Sequence, residues 1–248
     1  MDRQYYNAYF KLERNHWWFK VREKIIFERI KRLLDKPKDL KVLNIGAATG
    51  KTSQMLSYFG EVTSIEYDQT CCDFVQEKLA IPIVNASITD LPLQSSSYDL
   101  VCAFDVIEHV EDDALAIREM KRVCKNGGVI CVTVPAYMTL WSNHDDVNKH
   151  FRRYILGDII RLFKSCNLNN VYSSYFNTIL FLPILMFRKV SNIIPKKYIR
   201  QGAGSDFELK GQHNFINSFL GKIFSLEIIL LRYFKFLFGV SIITLWKK

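Results

Sequence analysis

What this chain of 248 residues lacks narrows it first. No stretch is long and apolar enough to span a membrane. The best candidate, Tyr175 to Phe187, has 13 uncharged residues with Pro183 among them, against the roughly 20 a spanning helix needs. The six cysteines are scattered, with Cys71 and Cys72 adjacent but no CxxC pair and no zinc spacing. The opening, MDRQYYNAYFKLERNHWWFK, is charged and aromatic and does not read as a secretory leader, so free thiols in a reducing, cytoplasmic compartment are expected. No internal repeat or low-complexity tract interrupts the chain. The 34 basic and 25 acidic residues leave a charge of +9, but the basic residues are spread along the whole length. No RGG, helix-turn-helix or ribonucleoprotein-type aromatic motif accompanies them, so no specific nucleic-acid partner is expected. A solvated basic surface accounts for the charge, and such a surface also suits an anionic substrate or a phospholipid face.

What is present is a globular composition, 49% hydrophobic and 24% charged. Residues 16 to 34 carry Val21, Ile25, Ile26, Ile30, Leu33 and Leu34 near helical spacing, with Pro37 and Asp39 as the stop. Short apolar runs then alternate with helical segments. Strands are expected at Leu40 to Ile45, Glu61 to Ile65, Ile81 to Val84, Asp99 to Phe104 and Val129 to Val134. Helices are expected at about Thr52 to Tyr58, Cys71 to Lys78 and Ala114 to Val123. Alternation of this kind, with several strands apolar throughout, predicts a parallel sheet covered on both faces. Beyond Pro135 come a helix at Tyr154 to Cys166, a strand at Asn170 to Phe176 and a hydrophobic, basic stretch over about 177 to 238. Phe238 to Trp246 reads as a last, antiparallel strand inserted beside its neighbours.

The chemistry gathers at the ends of these strands. Val42 to Gly50, VLNIGAATG, runs a strand into a glycine-punctuated turn and a helix. Gly46 lets the backbone turn, and Gly50 would leave room for a ligand at the helix start. Glu66 follows Gly50 by 16 residues, at the end of the next apolar run, where a carboxylate can accept from ribose hydroxyls. The dinucleotide pattern GxGxxG is absent. The loop resembles instead the first motif of class I S-adenosylmethionine-dependent methyltransferases, with Asn44 where that family often has Asp and Ala48 where it often has the middle Gly. The resemblance continues over about residues 40 to 135. Thr63 to Asp68, with Glu66 and Tyr67, is similar to the second motif. Ala86 to Leu93, ASITDLPL, resembles the segment whose acid meets adenine, here with Ser87 at that position and the Ile88 N–H toward the ring. Asp90 is the competing adenine partner or a turn-former. Ser97 to Val110, SYDLVCAFDVIEHV, is the most specific string. Lys125 to Pro135 matches the glycine turn into the fifth strand.

The resemblance implies a seven-stranded, mostly parallel α/β sheet with an antiparallel last strand, and S-adenosylmethionine as cofactor. It divides the chain into an N-terminal helical lid (1–36), a Rossmann-like cofactor-binding core (37–176), a helical insert over the acceptor pocket (177–238) and a final core strand (239–248). Gly46, Ala47, Gly50, Glu66, Tyr67, Ser87, Ile88 and Phe104 would line the cofactor, with Trp18 and Arg22 of the lid. Arg22 would pair with the methionine carboxylate, or the aromatic group around it would merely staple the helix. His109 would face the transferred methyl. Asp105, Glu108 and His109 also have the look of hard-cation ligands, as in some ubiquinone-pathway relatives, but the site is expected to hold no metal. The string Trp141 to Tyr154, WSNHDDVNKHFRRY, resembles one in a branch of bacterial methyltransferases. In it His144 or His150 would serve as general base and Arg152 or Arg153 would hold an anionic acceptor group. The competing reading is a structural bridge from Asp145 to an Arg.

The implied activity is methyl transfer to an oxygen of a small-molecule, sugar or lipid-linked acceptor. RNA methylation, or a non-catalytic binding protein on the same fold, are the alternatives. The insert, with Arg188-Lys189 and Lys196-Lys197 after its apolar run, leaves three readings open: a lid for an apolar acceptor, shallow contact with a membrane, or internal packing and a homodimer interface.

Overall fold

The computed structural model describes residues 3–34, 38–193 and 214–248, and statements about the fold refer to these. Two helices come first, α1 (Arg3–Asn15) and α2 (Trp17–Leu33). His16 separates them: its Nδ1 accepts from the Trp18 N–H at 3.2 Å, satisfying one of the orphan donors at the start of α2. The sheet then builds through β1 (Leu40–Ile45), β2 (Gly60–Glu66), β3 (Ile83–Asn85), β4 (Tyr98–Phe104), β5 (Cys124–Pro135), β6 (Asn169–Phe176) and β7 (Ser241–Lys247). Between them lie α3 (Lys51–Leu56), α4 (Gln69–Leu79), α5 (Asp113–Val123), α6 (Asn143–Val147), α7 (Leu156–Ser165), α8 (Phe181–Ile193) and α9 (Asn214–Leu230). Strand order is β3-β2-β1-β4-β5-β7-β6, and only β7 runs antiparallel, between β5 and β6.

Alternation along each strand divides the core into two layers. Leu43, Ile45, Val101, Ala103, Ile130, Val132, Ile242 and Trp246 face one layer, under Ile117 and Met120 of α5 and Phe163 of α7. Val42, Leu100, Cys102, Cys131, Ile243 and Leu245 face the other, under Ile25, Ile26 and Ile30 of α2 and Phe224 of α9. The strands are apolar on both faces because helices cover both, as the uninterrupted runs predicted. All six cysteines are buried and none is in a disulfide.

Three expectations are corrected. The N-terminal region is two helices, with α1 not foreseen as a separate element. The Lys125 to Gly128 turn is absorbed into β5: Cys124 pairs with Tyr98 and Val129 with Leu100, so the four residues between them bulge opposite Asp99. Gly127, at φ +78°, supplies the left-handed residue the bulge needs. Arg188, read as one of the basic residues after an apolar run, is buried, and its Nη1 donates to the Leu140 carbonyl. Pro37, Lys196 and Lys197 lie outside the described residues. No described helix is long and apolar enough to cross a membrane.

Trp246 is fully buried and stacks on Phe163 at 4.8 Å. Trp246→Ala should cost about 3–5 kcal/mol of unfolding free energy in a urea titration, the usual range for emptying a large aromatic site.

Candidate functional site

The site lies at the carboxyl edge of the sheet, where β1 and β4 sit side by side and their following loops part. Gly46 ends β1 at φ +71°, and a Cβ there would lie 2.4 Å from Val106 Cγ2 in the loop after β4. Only glycine satisfies both the backbone and that contact. Ala48, in the same turn, is held at φ +44°, in the left-handed region that L-residues occupy at a cost. Its N–H donates to Glu66 Oε2 at 2.9 Å, and the Tyr67 and Asp68 N–H groups donate to Glu66 Oε1 at 2.9 and 3.2 Å. Burial pushes the Glu66 carboxyl up against the pull of these three donors. Asn44 beneath the loop donates to Thr52 Oγ1 at 2.8 Å and Ser53 Oγ at 2.9 Å, tying β1 to α3. An aspartate there could only accept, so the amide suits hydroxyl neighbours that can receive its protons.

A cavity of about 1260 Å³ occupies this edge. Gly46, Glu66, Tyr67, Ser87, Ile88 and Phe104, the residues expected to line the cofactor, all border it, and Trp18 and Arg22 reach it from α2. His109, His144 and His150 line it farther along. Two expected residues do not reach it. Ala47 is buried in a separate cluster with Phe74 and Val75. Gly50, at φ +81°, begins α3, and a Cβ there would meet Leu79 Cδ1 at 2.8 Å, so a leucine fills the space expected for a ligand. Ser87 is turned into its own loop, with Oγ 2.7 Å from Thr89 Oγ1, and Asp90 closes that turn by donating its N–H to the Ser87 carbonyl at 3.2 Å.

Arg22 is engaged by the chain itself. Its Nη2 donates to Asp105 Oδ2 at 2.7 Å and Thr133 Oγ1 at 2.9 Å, while Thr133 donates to Asp105 Oδ1 at 2.9 Å. Its Nε is buried without a hydrogen-bond partner. The aspartate therefore takes the place in which a ligand carboxylate was expected.

The loop after β5 is organised around Asp145, which is fully buried. Arg153 grips it with Nε to Oδ1 at 2.8 Å and Nη2 to Oδ2 at 2.9 Å, the Ser142 N–H donates to Oδ2 at 2.8 Å, and His150 Nδ1 lies 2.8 Å from Oδ1. These donors hold its carboxyl well below the usual carboxylate range despite its burial. Arg153 also donates to the Ala136 carbonyl, and Arg152 is taken by Asp113 at 3.0 Å and the Glu111 carbonyl at 2.7 Å. Neither arginine is positioned as the expected anion anchor; the structural bridge is the reading that holds. His150 is the member of the string that the bridge aims into the cavity. Its ring lies edge-on to His109 at 4.5 Å and to His144 at 6.0 Å.

Glu108 sits beside this cluster, fully buried, with neither carboxylate oxygen hydrogen-bonded. Burial first, and then the Asp105 charge, push its carboxyl well above the usual range. Burial, with His150 nearby, pushes His109 down to about 4, so its imidazole is neutral at neutral pH. Glu108, His109 and His150 each offer a ligand atom within 4.8 Å of the others. Asp105, expected in such a set, is turned to Arg22 and Thr133.

Helix α1 brings residues the sequence reading did not assign. Tyr5, Tyr6, Tyr9 and Glu13 all line the cavity. Their spacing is helical, and the clustering of three tyrosines on one turn-and-a-bit was the available signal. Thr49 donates to the buried Glu13 carboxylate, and Arg14 Nη2 donates to the Thr49 carbonyl at 3.3 Å, fastening α1 to the glycine loop.

Residues 43–132 match the model of the methyltransferase domain family. A Mycobacterium tuberculosis protein, named a probable S-adenosylmethionine-dependent methyltransferase, is 28% identical over 150 residues, covering 59% of this chain and 53% of that one. A demethylmenaquinone methyltransferase of Staphylococcus aureus is 27% identical over 133 residues, covering 48% of this chain and 55% of its own. The chain thus spans about half the length of the curated relatives it matches. Among solved structures, an S-adenosylmethionine-dependent methyltransferase from Mesorhizobium loti superposes with a TM-score of 0.55 at 11% identity, over 89% of this chain and 96% of that one. The 4+2 cyclase SpnF gives 0.54 at 14% identity, over 89% and 81%. These structural likenesses establish the fold. With the motifs at the edge of the sheet, the segment 43–132 is similar to the methyltransferase domain family, and it is carried on the class I methyltransferase fold.

Burial pushes the Glu13 carboxyl up from 4.5 to about 7. A raised carboxyl favours its proton in the folded chain, so its contribution to stability is complete below about 4.5 and is lost as pH rises toward 7. Glu13→Gln should flatten the fall in melting temperature across that window, measured by thermal unfolding at a series of pH values.

Proposed function

We propose that the protein transfers the methyl group of S-adenosylmethionine to a hydroxyl of a small or lipid-linked acceptor. The observation that carries the reading is the Asp145–His150 pair, a buried carboxylate holding an imidazole whose far edge meets the cavity beside His109. The cofactor's sulfonium supplies the activated methyl.

The chain's own residues do the rest. The Gly46 turn and the Glu66 carboxylate fit the nucleoside end, because three backbone donors fix Glu66 in place and leave it acceptor capacity toward two neighbouring hydroxyls. Phe104 gives an apolar wall and Trp18 closes over from the lid. Arg22 pairs with Asp105 and Thr133, so its charge is engaged within the chain and it braces the lid helix on the sheet. On the acceptor side, Asp145 fixes the His150 ring with Nδ1 toward itself, so Nε2 is the nitrogen able to take the hydroxyl proton. His109, neutral at neutral pH, borders the same space. Holding acceptor and cofactor in one cavity would align the acceptor oxygen with the methyl.

A second reading rests on Glu108, His109 and His150 as ligands of a divalent cation, favoured by the two unpartnered carboxylate oxygens of Glu108. A cation there would polarise the acceptor oxygen and take over from His150 as base.

Calorimetry should detect S-adenosylmethionine at micromolar concentration, and Glu66→Gln should weaken it about tenfold, the cost of trading a charged acceptor for a neutral one. Absence of binding at millimolar concentration ends the enzymatic reading. Once an acceptor is in hand, His150→Ala should lower kcat by about 10²–10⁴ while leaving cofactor affinity within threefold. If chelation abolishes activity and magnesium restores it, the cation reading replaces the base.

A further inference from the structure

We propose that the face formed by α8 and α9 docks on an anionic lipid bilayer. Helix α9 is apolar on two sides. Phe224, Glu227 and Leu231 turn inward, the first and last into the core layer that α2 covers. The other side exposes Phe219, Leu226 and Ile229 in steps of seven and three, with Lys222 in the same row, and exposed Tyr233 lies in the turn that follows. Tyr233 and Leu237 are 77% and 88% exposed, and Phe234 follows at 62%. On α8, Leu182, Met186 and Phe187 are exposed, with Lys189 one turn beyond. A soluble surface does not ordinarily present this many large apolar side chains on two helices and the segment that follows them.

Charge selects the occupant. Exposed Lys189, Lys222, Arg232 and Lys235 accompany the apolar residues. Among the described residues after Phe176, Glu227 is the single acid, and it is buried, accepting the Asn177, Thr178 and Ile179 N–H groups at 2.7 to 2.8 Å. The nearest compensating acid is Glu28 of α2, 3.3 Å from Arg232. A twofold dimer through this face would set the same lysines against one another. A layer of anionic headgroups neutralises them instead, while the aromatic and aliphatic side chains enter the interface.

The cavity is lined in part by the same two helices. Leu180, Pro183, Ile184 and Phe187 of the α8 region and Leu220 of α9 line its apolar end, and Phe187 is also 60% exposed at the surface. Docking would hold that end against the headgroups, so an acceptor with an apolar chain could reach His150 without its chain crossing water. The docking itself stands apart from the proposed chemistry and is read without any turnover.

The test is co-sedimentation of the full chain with vesicles of phosphatidylcholine alone or mixed with phosphatidylglycerol. The protein should pellet with the anionic vesicles and not with the neutral ones. Lys222→Glu with Lys235→Glu should weaken this more than tenfold, as each basic residue near such a surface contributes about 1 kcal/mol, or fivefold. Leu226→Ser with Ile229→Ser should weaken it by a similar factor with the helical circular dichroism unchanged. In the unmodified chain, amide exchange of α9 should slow on anionic vesicles. No pelleting at low salt overturns the proposal. So does full binding by the serine pair, which would mean charge adsorption alone, or vesicle protection confined to other elements. A wild-type dimer that the serine pair splits would assign the face to a second copy.

Discussion

The pairing of β1 with β4 is the constraint on which the site depends. Their register sets Ile45 against Ala103. The two loops that follow therefore leave the sheet at the same height, and Gly46 and Val106 are pressed together where they part. From that crossing the glycine turn leads to α3 and the loop after β4 leads to Glu108 and His109. The gap between them is a property of strand order, before any ligand-specific side chain is considered. Glu66 then comes to the gap because β2 pairs beside β1, and Thr133 and the Asp145 loop come because β5 pairs beside β4.

Two carboxylates, one half-buried and one fully buried, divide the work of holding this edge. Asp105 gathers Arg22 and Thr133, joining α2 to the sheet. Asp145 gathers Arg153, Ser142 and His150, giving a short loop a fixed shape. Each charge is paired with an arginine and further donors, the condition under which burial of an ion is sustainable. Glu108 is the exception, a carboxyl without partners next to two histidines. A structure tolerates such a group where it is protonated or where something outside the protein completes it.

The strands were legible because each was an apolar run bounded by turn residues, and the glycine turn, Glu66 and the Asp105 to His109 string stood at their ends. Strand ends and loops that a motif described were found at the cavity, as with Phe104, His109 and His150. What the sequence could not convey was which polar side chains satisfy one another. Arg22, Arg152 and Arg153 read as hands for a ligand because a lone arginine in a string carries no sign of Asp105, Asp113 or Asp145 folding back onto it. Gly50 read as ligand space because Leu79 lies 29 residues on and only folding brings it there. Helix α1 was missed as a contributor for the same reason: nothing local shows that Glu13 and Arg14 fasten to Thr49 and so carry the tyrosines to the cavity.

The placement of β7 between β5 and β6 has a consequence for how the molecule is made. Both neighbours leave the ribosome before it, and β6 has no hydrogen-bonded place in the sheet until β7 arrives. While residues 177 to 240 are being translated, the edge of β5 stands open, a row of Val129, Ile130, Cys131, Val132 and Val134 with unpaired backbone groups. For that interval the nascent chain carries the kind of edge that recruits other strands, and the short β7 then closes it.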